Sequence, residues 1–474
     1  MIKKKITIYL LISIAFVLFF SYSTVLFIGH NDSIVFLTIG KLWSKGVLPY
    51  KELFDHKGPL VFFINMVGYK IGNNVRGILI IQIIFMFFTT YFLDKIATLE
   101  LKNKKNSVLY VVITLFFLSV IYSGGNLVEE YCLPFLIATL YYNLKYINNY
   151  KTNNIVYHPL KYSFLYGISF GVCFLTRLTN SISICLGLFV ILVILIKKKR
   201  ILDIFKNLIL FICGFAVISL PFVIYFCYHN IFFDFLYGTI LYNFDYIIKS
   251  RFQFDGLLTY ILCFAPSYLI FISSYIHFRK KDKYKGLLYL LLGLFESFLF
   301  ISGLKYPHYA VISLPNLLIL LVDFDNLVHK KTIRKVFFVL VGICFICSII
   351  FNVMRINSSR NRSLTNYVDK LLKSIGEDGK KSLIVLNMNE YKQIYINNNI
   401  VPYYKYFNLQ DWQASNSKSL KDDISKVFSE GNVEYILSVN PKESILYPVI
   451  LERYDIVTSH NIDGDNIVLY IIKQ

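Results

Sequence analysis

Charged side chains that could carry out chemistry stand near the start of the chain, beside apolar segments. Asp32 follows the apolar run that opens the chain. The stretch GVLPYKELFDHKGPL (46–60) places Lys57 directly before Gly-Pro, where Pro fits the first turn of a helix. A carboxylate can take the proton of an acceptor hydroxyl group. A lysine can stabilise a phosphate leaving group as negative charge develops on it.

A second group of candidate side chains comes from three later segments. These residues are Glu129 and Glu130 in GNLVEEYCLPF, Arg177 in FLTRLTN, and Lys305 and His308 in KYPHYAVISLP. The basic residues could bind the phosphate of a donor, and the two glutamates add carboxylates to the same predicted outer face. Each also has a simpler interpretation. Acidic residues at a helix start complement the helix dipole, and basic residues near a membrane often extend toward lipid headgroups.

The residues around Lys57 are interpreted as its support. We expect Tyr50, Asp55 and His56 to hold the loop that presents the lysine. Mg²⁺ or Mn²⁺ bridging carboxylates and phosphate would suit these oxygen ligands, although none of the residues demands a metal. His308 has no His or Cys at metal-ligand spacing, so we do not expect a zinc site.

The composition indicates a membrane protein. Hydrophobic residues make up 56% of the 474 residues and charged residues 16%, whereas soluble domains have about 25% charged residues. This balance excludes a soluble enzyme, a disordered chain and a nucleic-acid-binding protein, despite the formal net charge of +20.

Apolar segments of membrane-spanning length follow one another along most of the chain. By the rule of roughly 20 apolar residues per span, we predict about eleven transmembrane helices. They lie near 6–28, 75–93, 108–123, 130–144, 162–178, 181–196, 208–228, 257–278, 287–303, 309–321 and 336–352. The apolar stretch 60–71 is shorter, at about 12 residues, and is predicted to lie at the membrane interface.

The basic residues orient these spans. With the N-terminus inside, most Lys and Arg residues between spans fall in the predicted cytoplasmic loops, as at 197–200 and 279–285. The positive-inside rule therefore predicts a cytoplasmic N-terminus and an extracellular C-terminus. All eight cysteines lie within or beside predicted spans, so no disulfide framework is expected.

The last 120 residues differ in character. From Arg355 onward the charges nearly balance, and short β-like runs at 382–386, 435–439 and 467–472 accompany a polar helix near 419–429. We predict a membrane domain over 1–354 and a small extracytoplasmic α/β domain over 355–474. An extracytoplasmic domain without cysteine is typical of a bacterial surface.

The candidate side chains can converge only on the outer membrane surface. A base, a phosphate-binding cation and apolar helices for a lipid tail suit sugar transfer from a lipid-linked phosphate donor. A lipid-linked sugar flippase is an alternative, but transporters place functional charges near the bilayer midplane. The middle parts of the predicted spans here are nearly free of charge, with Glu296 as the chief exception. A polysaccharide polymerase or ligase is another, since the loop 229–255 carries several charges. They are Asp234, Asp245, Lys249 and Arg251.

The order of these features resembles a known family. The N-terminal part of the chain is similar to the GT-C membrane glycosyltransferases. The features that match are, in order, Asp32 after the first span, the stretch LPYKELFDHKGPL, a short helix ending near Gly72, and NNVRGILIIQ (73–82). More narrowly, they resemble the bacterial dolichyl-phosphate-mannose-protein mannosyltransferase-like group, family 39, which includes the aminoarabinose transferase type. The resemblance covers about residues 1–180 well and 300–325 loosely.

The resemblance implies roles for individual residues. Asp32 would be the catalytic base, Lys57 would contact the donor phosphate, and Glu129 or Glu130 would be the second acid. Arg76 matches the Arg that usually opens the second span. This chain has Lys57-Gly58-Pro59 where the family often has Lys-Pro-Pro, and Asp32-Ser33 where it often has Asp-Glu.

As a whole, the resemblance implies an all-α polytopic membrane bundle of GT-C type that acts as an inverting glycosyltransferase. The donor would be a polyprenyl-phosphate-linked sugar, and the acceptor a hydroxyl group of a cell-surface glycan, a lipid or a protein. No nucleic-acid partner is expected.

Overall fold

The structure is a computed structural model in which the chain forms two compact units. The described residues are 2–26, 31–244, 261–302, 306–328, 332, 339, 342–343, 346, 348–354, 356, 362–387, 393–408, 410–416, 418–462 and 464–473. The first unit comprises Met1–Phe27, Ile78–Tyr228 and Ser250–Arg355. The second unit comprises Ile28–Gly77, His229–Lys249 and Ile356–Gln474.

Helices dominate the described part of the chain. Those longer than ten residues are α1 (Ile2–Phe20), α2 (Asn31–Trp43), α3 (Pro59–Gly72), α4 (Gly77–Glu100), α5 (Ser107–Ile121), α6 (Val128–Asn153), α7 (Leu160–Phe174), α8 (Ile182–Lys197), α9 (Ile201–Tyr228), α10 (Ala265–Arg279), α11 (Lys283–Ser302), α12 (Leu314–Leu327), α13 (Arg362–Ser374) and α14 (Lys418–Ser429). Shorter α-helical segments lie at Tyr22–Val25, Phe232–Leu236, Gly376–Lys381, Ile394–Asn397, Gln410–Asn416 and Tyr447–Arg453. Lys104–Asn106, Leu178–Ser181, Pro307–Ser313 and Pro441–Glu443 are 3₁₀ segments, and Tyr237–Leu241 is a π-helical turn.

Within the described residues, five helical segments are long and apolar enough to cross a membrane. They are Gly77–Glu100, Lys104–Ile121, Leu178–Lys197, Ile201–Tyr228 and Pro307–Leu327. A multi-pass membrane protein is thereby confirmed. The predicted number of eleven spans is not confirmed, because α7 is only 15 residues long and the predicted spans at 257–278 and 336–352 lie partly outside the described residues. The predicted short helix at 60–71 is α3, which has 14 residues.

One end of the first unit is held by ion pairs between helices. Lys151 near the end of α6 donates to Asp282 Oδ2 at 2.9 Å. The His277 ring lies 3.4 Å from Asp323 and 3.8 Å from Asp282. Burial by itself raises the pKa of Asp282, but His277 and Lys151 outweigh it and lower this pKa from 3.8 to about 2.

This arrangement predicts acid-sensitive stability. Because the folded pKa of Asp282 is depressed, its carboxylate stabilises the fold above about pH 4, and this contribution is lost as the pH falls from about 4 to about 2. We expect the melting temperature of the wild-type protein to fall more between pH 5 and pH 3 than that of Asp282→Asn. Equal slopes for the two proteins in thermal unfolding would contradict this role.

The described strands of the second unit form one four-stranded sheet of order β1-β2-β4-β3. The strands are β1 (Leu383–Leu386), β2 (Tyr435–Val439), β3 (Tyr454–Ile462) and β4 (Asp465–Ile472). β1 and β2 are parallel, whereas β4 is antiparallel to both β2 and β3. The predicted β-like runs are confirmed as β1, β2 and most of β4. β3 was not predicted, because six of its nine residues are exposed and it lies at the edge of the sheet.

The second unit has a hydrophobic core built from three separate parts of the chain. Phe54 and Tyr242 belong to the same buried cluster as Tyr406, Ile436 and Tyr470. The unit therefore extends beyond the predicted boundary at residue 355, because it also includes the segments around Phe54 and Tyr242. The extracytoplasmic placement of residues 355–474 stays a prediction.

Candidate functional site

The loop between α2 and α3 is held in one conformation by its own side chains. Tyr50 has a φ of 68°, which is uncommon for a bulky residue, and its hydroxyl group donates to the Lys57 carbonyl at 2.8 Å. Burial raises the pKa of Tyr50, so the phenol keeps the proton that this bond needs. Asp55 Oδ1 accepts from the Lys57 N–H at 2.9 Å. Both backbone groups of Lys57 are therefore fixed.

The Lys57 side chain is buried, with 7% of its surface exposed. Its Nζ lies 2.7 Å from His56 Nε2. A lysine ammonium group only donates, so here Nε2 accepts and the neutral His56 ring carries its proton on Nδ1. Among the described residues, His56 is the one hydrogen-bond acceptor for Lys57 Nζ, and no carboxylate forms a salt bridge with it. An ammonium group that is buried with one neutral acceptor is suited to binding an anion.

Aromatic side chains from distant parts of the chain surround this loop. The Phe54 ring packs edge-on against Tyr242 at 5.5 Å and Tyr406 at 5.1 Å. The His56 ring lies 5.6 Å from Trp412, and Asn243 Nδ2 donates to the His56 carbonyl at 2.9 Å. Sequence reasoning missed these partners, because contacts over such separations leave no local pattern.

Asp32 lies in the first turn of α2 and is partly exposed. The segment was not predicted as a helix, because its 13 residues fall short of the length expected of a span. Its residues 33–43 are nevertheless all buried, and α2 packs against α3 through Phe36 and Phe62, with ring centroids 5.9 Å apart. Asp32 lies four residues before Phe36 in the sequence, and Lys57 lies five residues before Phe62. Each candidate is therefore close in sequence to one of the two rings in this contact.

Glu130 lies in the first turn of α6, as predicted, and its carboxylate is fully engaged. It accepts from the Asn126 N–H at 2.6 Å, from Gln82 Nε2 at 3.1 and 3.2 Å, and from the Tyr122 hydroxyl. The preceding turn is made by Gly124, Gly125 and Asn126, all with positive φ. In the sequence, Gln82 could have been recognised as a functional residue because it is a lone amide side chain within the predicted apolar span 75–93.

Glu129, the neighbouring residue, faces different partners. Its Oε1 accepts from Arg177 Nη1 at 2.9 Å, and the carboxylate is almost completely buried. The Arg177 guanidinium also lies over the Tyr309 ring, 3.9 Å from its centroid. This cation–π contact and the salt bridge together hold Arg177 in place.

The remaining predicted residues have separate environments. His308 is buried and its ring lies 4.7 Å from that of Tyr309. Lys305 lies outside the described residues. Arg76 is exposed, and its N–H donates to Asn74 Oδ1 at 2.8 Å. Within the described ranges, no group of three His, Cys, Asp or Glu residues is placed to hold a metal ion.

The predicted residues thus fall into two groups. Asp32, Tyr50, Asp55, His56 and Lys57 belong to the second unit, and Glu129, Glu130, Arg177 and His308 belong to the first. Convergence of the two groups on the outer membrane surface stays a prediction.

The two adjacent glutamates are expected to differ in their contribution to stability. Glu130→Gln replaces an acceptor oxygen with an amide group that faces other donors, so we expect the free energy of unfolding to fall by about 1.5–3 kcal/mol. Glu129→Gln keeps an oxygen for Arg177 and should destabilise less. Thermal unfolding of the two variants in detergent checks this order, and an equal or reversed order would contradict it.

The fold is shared with solved structures of membrane glycosyltransferases. ArnT from Cupriavidus metallidurans bound to undecaprenyl phosphate is 13% identical, with a TM-score of 0.58 over 98% of both chains. The apo oligosaccharyltransferase from Archaeoglobus fulgidus is 13% identical, with a TM-score of 0.55 over 99% of this chain and 74% of that one. The Archaeoglobus fulgidus oligosaccharyltransferase AglB, in complex with an inhibitory peptide and a dolichol-phosphate, gives a TM-score of 0.53 at 13% identity, over 100% and 74%. The fold is therefore of GT-C type, as the resemblance implied.

Sequence comparison adds one family. Residues 1–335 match the family described as "Putative competence-induced protein Ccs4 N-terminal domain". No curated protein matches the chain significantly in sequence.

Proposed function

The chain belongs to the family of the putative competence-induced protein Ccs4 N-terminal domain, and we propose that it is a membrane glycosyltransferase. It transfers a sugar from a polyprenyl-phosphate-linked donor to a hydroxyl group of a glycan, a lipid or a protein on the outer face of a bacterial plasma membrane. The GT-C fold supports this proposal, as do the ligands of its structural neighbours, undecaprenyl phosphate and dolichol-phosphate.

The observation that carries the proposal is the environment of Lys57. Its ammonium group is buried, its backbone is fixed on both sides, and within the described residues it has one neutral acceptor. A positive charge held in this way is unfavourable until an anion neutralises it. The phosphate of a lipid-linked donor supplies that anion.

In the proposed reaction, Asp32 takes the proton of the acceptor hydroxyl group. The acceptor oxygen forms a bond to the anomeric carbon as the bond from that carbon to the phosphate oxygen breaks. The polyprenyl phosphate leaves with the bonding electrons, and Lys57 stabilises its negative charge. A single displacement of this kind inverts the anomeric configuration.

The residues of the first unit receive supporting roles. Glu129 and Glu130 both remain candidates for the second acid: the carboxylate of Glu130 accepts bonds that shape the turn before α6, and that of Glu129 pairs with Arg177. Arg177 positions Glu129 through their salt bridge. Lys305 and His308 remain candidates for binding the donor phosphate.

The decisive experiment is sugar transfer by the full-length protein in reconstituted vesicles. A panel of labelled polyprenyl-phosphate sugars would be supplied with envelope acceptors, and the labelled product would be separated from the donor. Repeating the assay with EDTA, and then with added Mg²⁺ or Mn²⁺, tests a metal requirement. Movement of labelled donor across the bilayer without any transfer would overturn the enzyme in favour of a flippase.

A further inference from the structure

A small cavity inside the first unit is lined by polar side chains that the proposed reaction does not use. Its volume is about 20 Å³, which is room for about one water-sized species. Its polar lining comes from four helices. These residues are Thr139 and Asn143 of α6, Ser183 of α8, Glu296 of α11 and Asn316 of α12.

Glu296 brings a carboxylate into this cavity. Its exposed fraction is 2%, and Asn316 Nδ2 donates to Oε2 at 2.8 Å. The described lining contains no Lys, Arg or His. An ionised carboxylate inside a membrane bundle is strongly unfavourable without a compensating positive charge.

Other oxygens in the lining also lack partners. Thr139 and Asn143 are 3% and 1% exposed. Within the described part of the chain, Thr139 Oγ1, Asn143 Oδ1 and Ser183 Oγ have no hydrogen-bond partner. Thr139 and Asn143 are four residues apart and therefore share one face of α6. Buried polar atoms are normally satisfied, so these oxygens indicate a bound species.

Gly187 allows the Asn143 amide to approach α8. A Cβ added at Gly187 would lie 2.0 Å from Asn143 Nδ2 and 3.7 Å from Oδ1. The nitrogen end of the amide is therefore turned toward Gly187, and the oxygen end is turned away from it.

We propose that this cavity binds one dehydrated monovalent alkali cation, Na⁺ or K⁺. Glu296 supplies the single negative charge, and Thr139, Asn143 and Ser183 supply neutral oxygens. A proton would neutralise the carboxylate but give only one hydrogen-bond donor, whereas a cation can contact several oxygens at once. Divalent hard cations favour sites with more charged oxygens than this one carboxylate.

Thermal unfolding of the purified full-length protein tests this site. Choline chloride at constant ionic strength would be exchanged for NaCl or KCl. We expect the melting temperature to be about 3 °C higher in 100 mM of the bound cation than in choline chloride. Comparison of the NaCl and KCl titrations identifies the ion.

Variants separate the site from a general salt effect. Glu296→Gln should abolish the cation dependence, and Thr139→Val should raise the cation concentration at the midpoint about tenfold. Thr114→Val is the matched control, because its buried hydroxyl group donates to the Tyr110 carbonyl at 2.8 Å and does not line the cavity. It should retain the wild-type midpoint.

Three results would overturn the proposal. The first is identical melting of the wild-type protein in NaCl, KCl and choline chloride. The second is an equal rise of the cation concentration at the midpoint in Thr114→Val and in Thr139→Val. The third result applies if Glu296→Gln does not fold and Gly187→Ala is tested in its place, because a Cβ at position 187 must displace the Asn143 amide. That result is a wild-type midpoint in both Gly187→Ala and Thr139→Val.

Discussion

Asp32→Asn should reduce sugar transfer by about 10²–10⁴-fold, the range expected for loss of a general base, while donor binding changes little. Asparagine has the shape of aspartate, and loss of the negative charge near the helix N-terminus costs only about 0.3–1 kcal/mol, so α2 should remain intact. What is lost is the basic carboxylate that takes the acceptor proton. Transfer would be measured in vesicles, and donor affinity by titration of the purified variant.

Asp234→Asn provides the matched control. Asp234 is also in the first turn of a helix of the second unit, and it is exposed. We expect this variant to transfer sugar at the wild-type rate. Full activity of Asp32→Asn would remove the base from the mechanism. If Asp234→Asn were then inactive, the charged loop at 229–255 would become the candidate site, as in a polymerase or ligase.

Lys57→Ala should weaken both donor binding and turnover. Loss of a charge-assisted contact to phosphate is worth about 1.5–3 kcal/mol, or roughly ten- to a hundredfold in the dissociation constant of the donor. The same change should leave the melting temperature of the donor-free protein unchanged or higher, because it removes a buried ammonium group that has no ion pair among the described residues.

Lys51→Ala tests whether the effect belongs to Lys57 or to charge in general. Lys51 lies in the same loop but is exposed, so its loss should change donor affinity less than twofold at physiological ionic strength. A Lys57→Ala protein that melts much earlier than the wild type would mean that the lysine is structural. Equal losses of donor affinity in the two variants would indicate only general attraction of the anion.

The sequence predicted the elements that have a strong local pattern. The helix start at Glu129 and Glu130, the short helix after Lys57, and the strands β1 and β2 were placed within a few residues. α2 was missed because a length criterion for spans ignores a buried helix of 13 residues. β3 was missed because an exposed edge strand lacks apolar alternation.

The environment of the candidate residues could be predicted less well. Their identities followed from charge type and position, but their partners depend on contacts between distant segments. Nothing near Glu130 in sequence points to Gln82, and nothing near His56 points to Trp412. The different partners of the two adjacent glutamates could therefore be read only from coordinates.

The shared core of the second unit has a consequence for biosynthesis. The N-terminal part of this unit is hydrogen-bonded to residues that are translated much later. Lys41 Nζ donates to the carbonyl of Ile396, which lies 355 positions further along the chain. At about 5–20 residues per second, that partner follows roughly 20–70 s after Lys41 is made. Until then the ring of Phe54 lacks its neighbour Tyr406. A ribosome that stalls before residue 356 would therefore leave a chain in which Phe54, three residues before Lys57, has no Tyr406 ring to pack against.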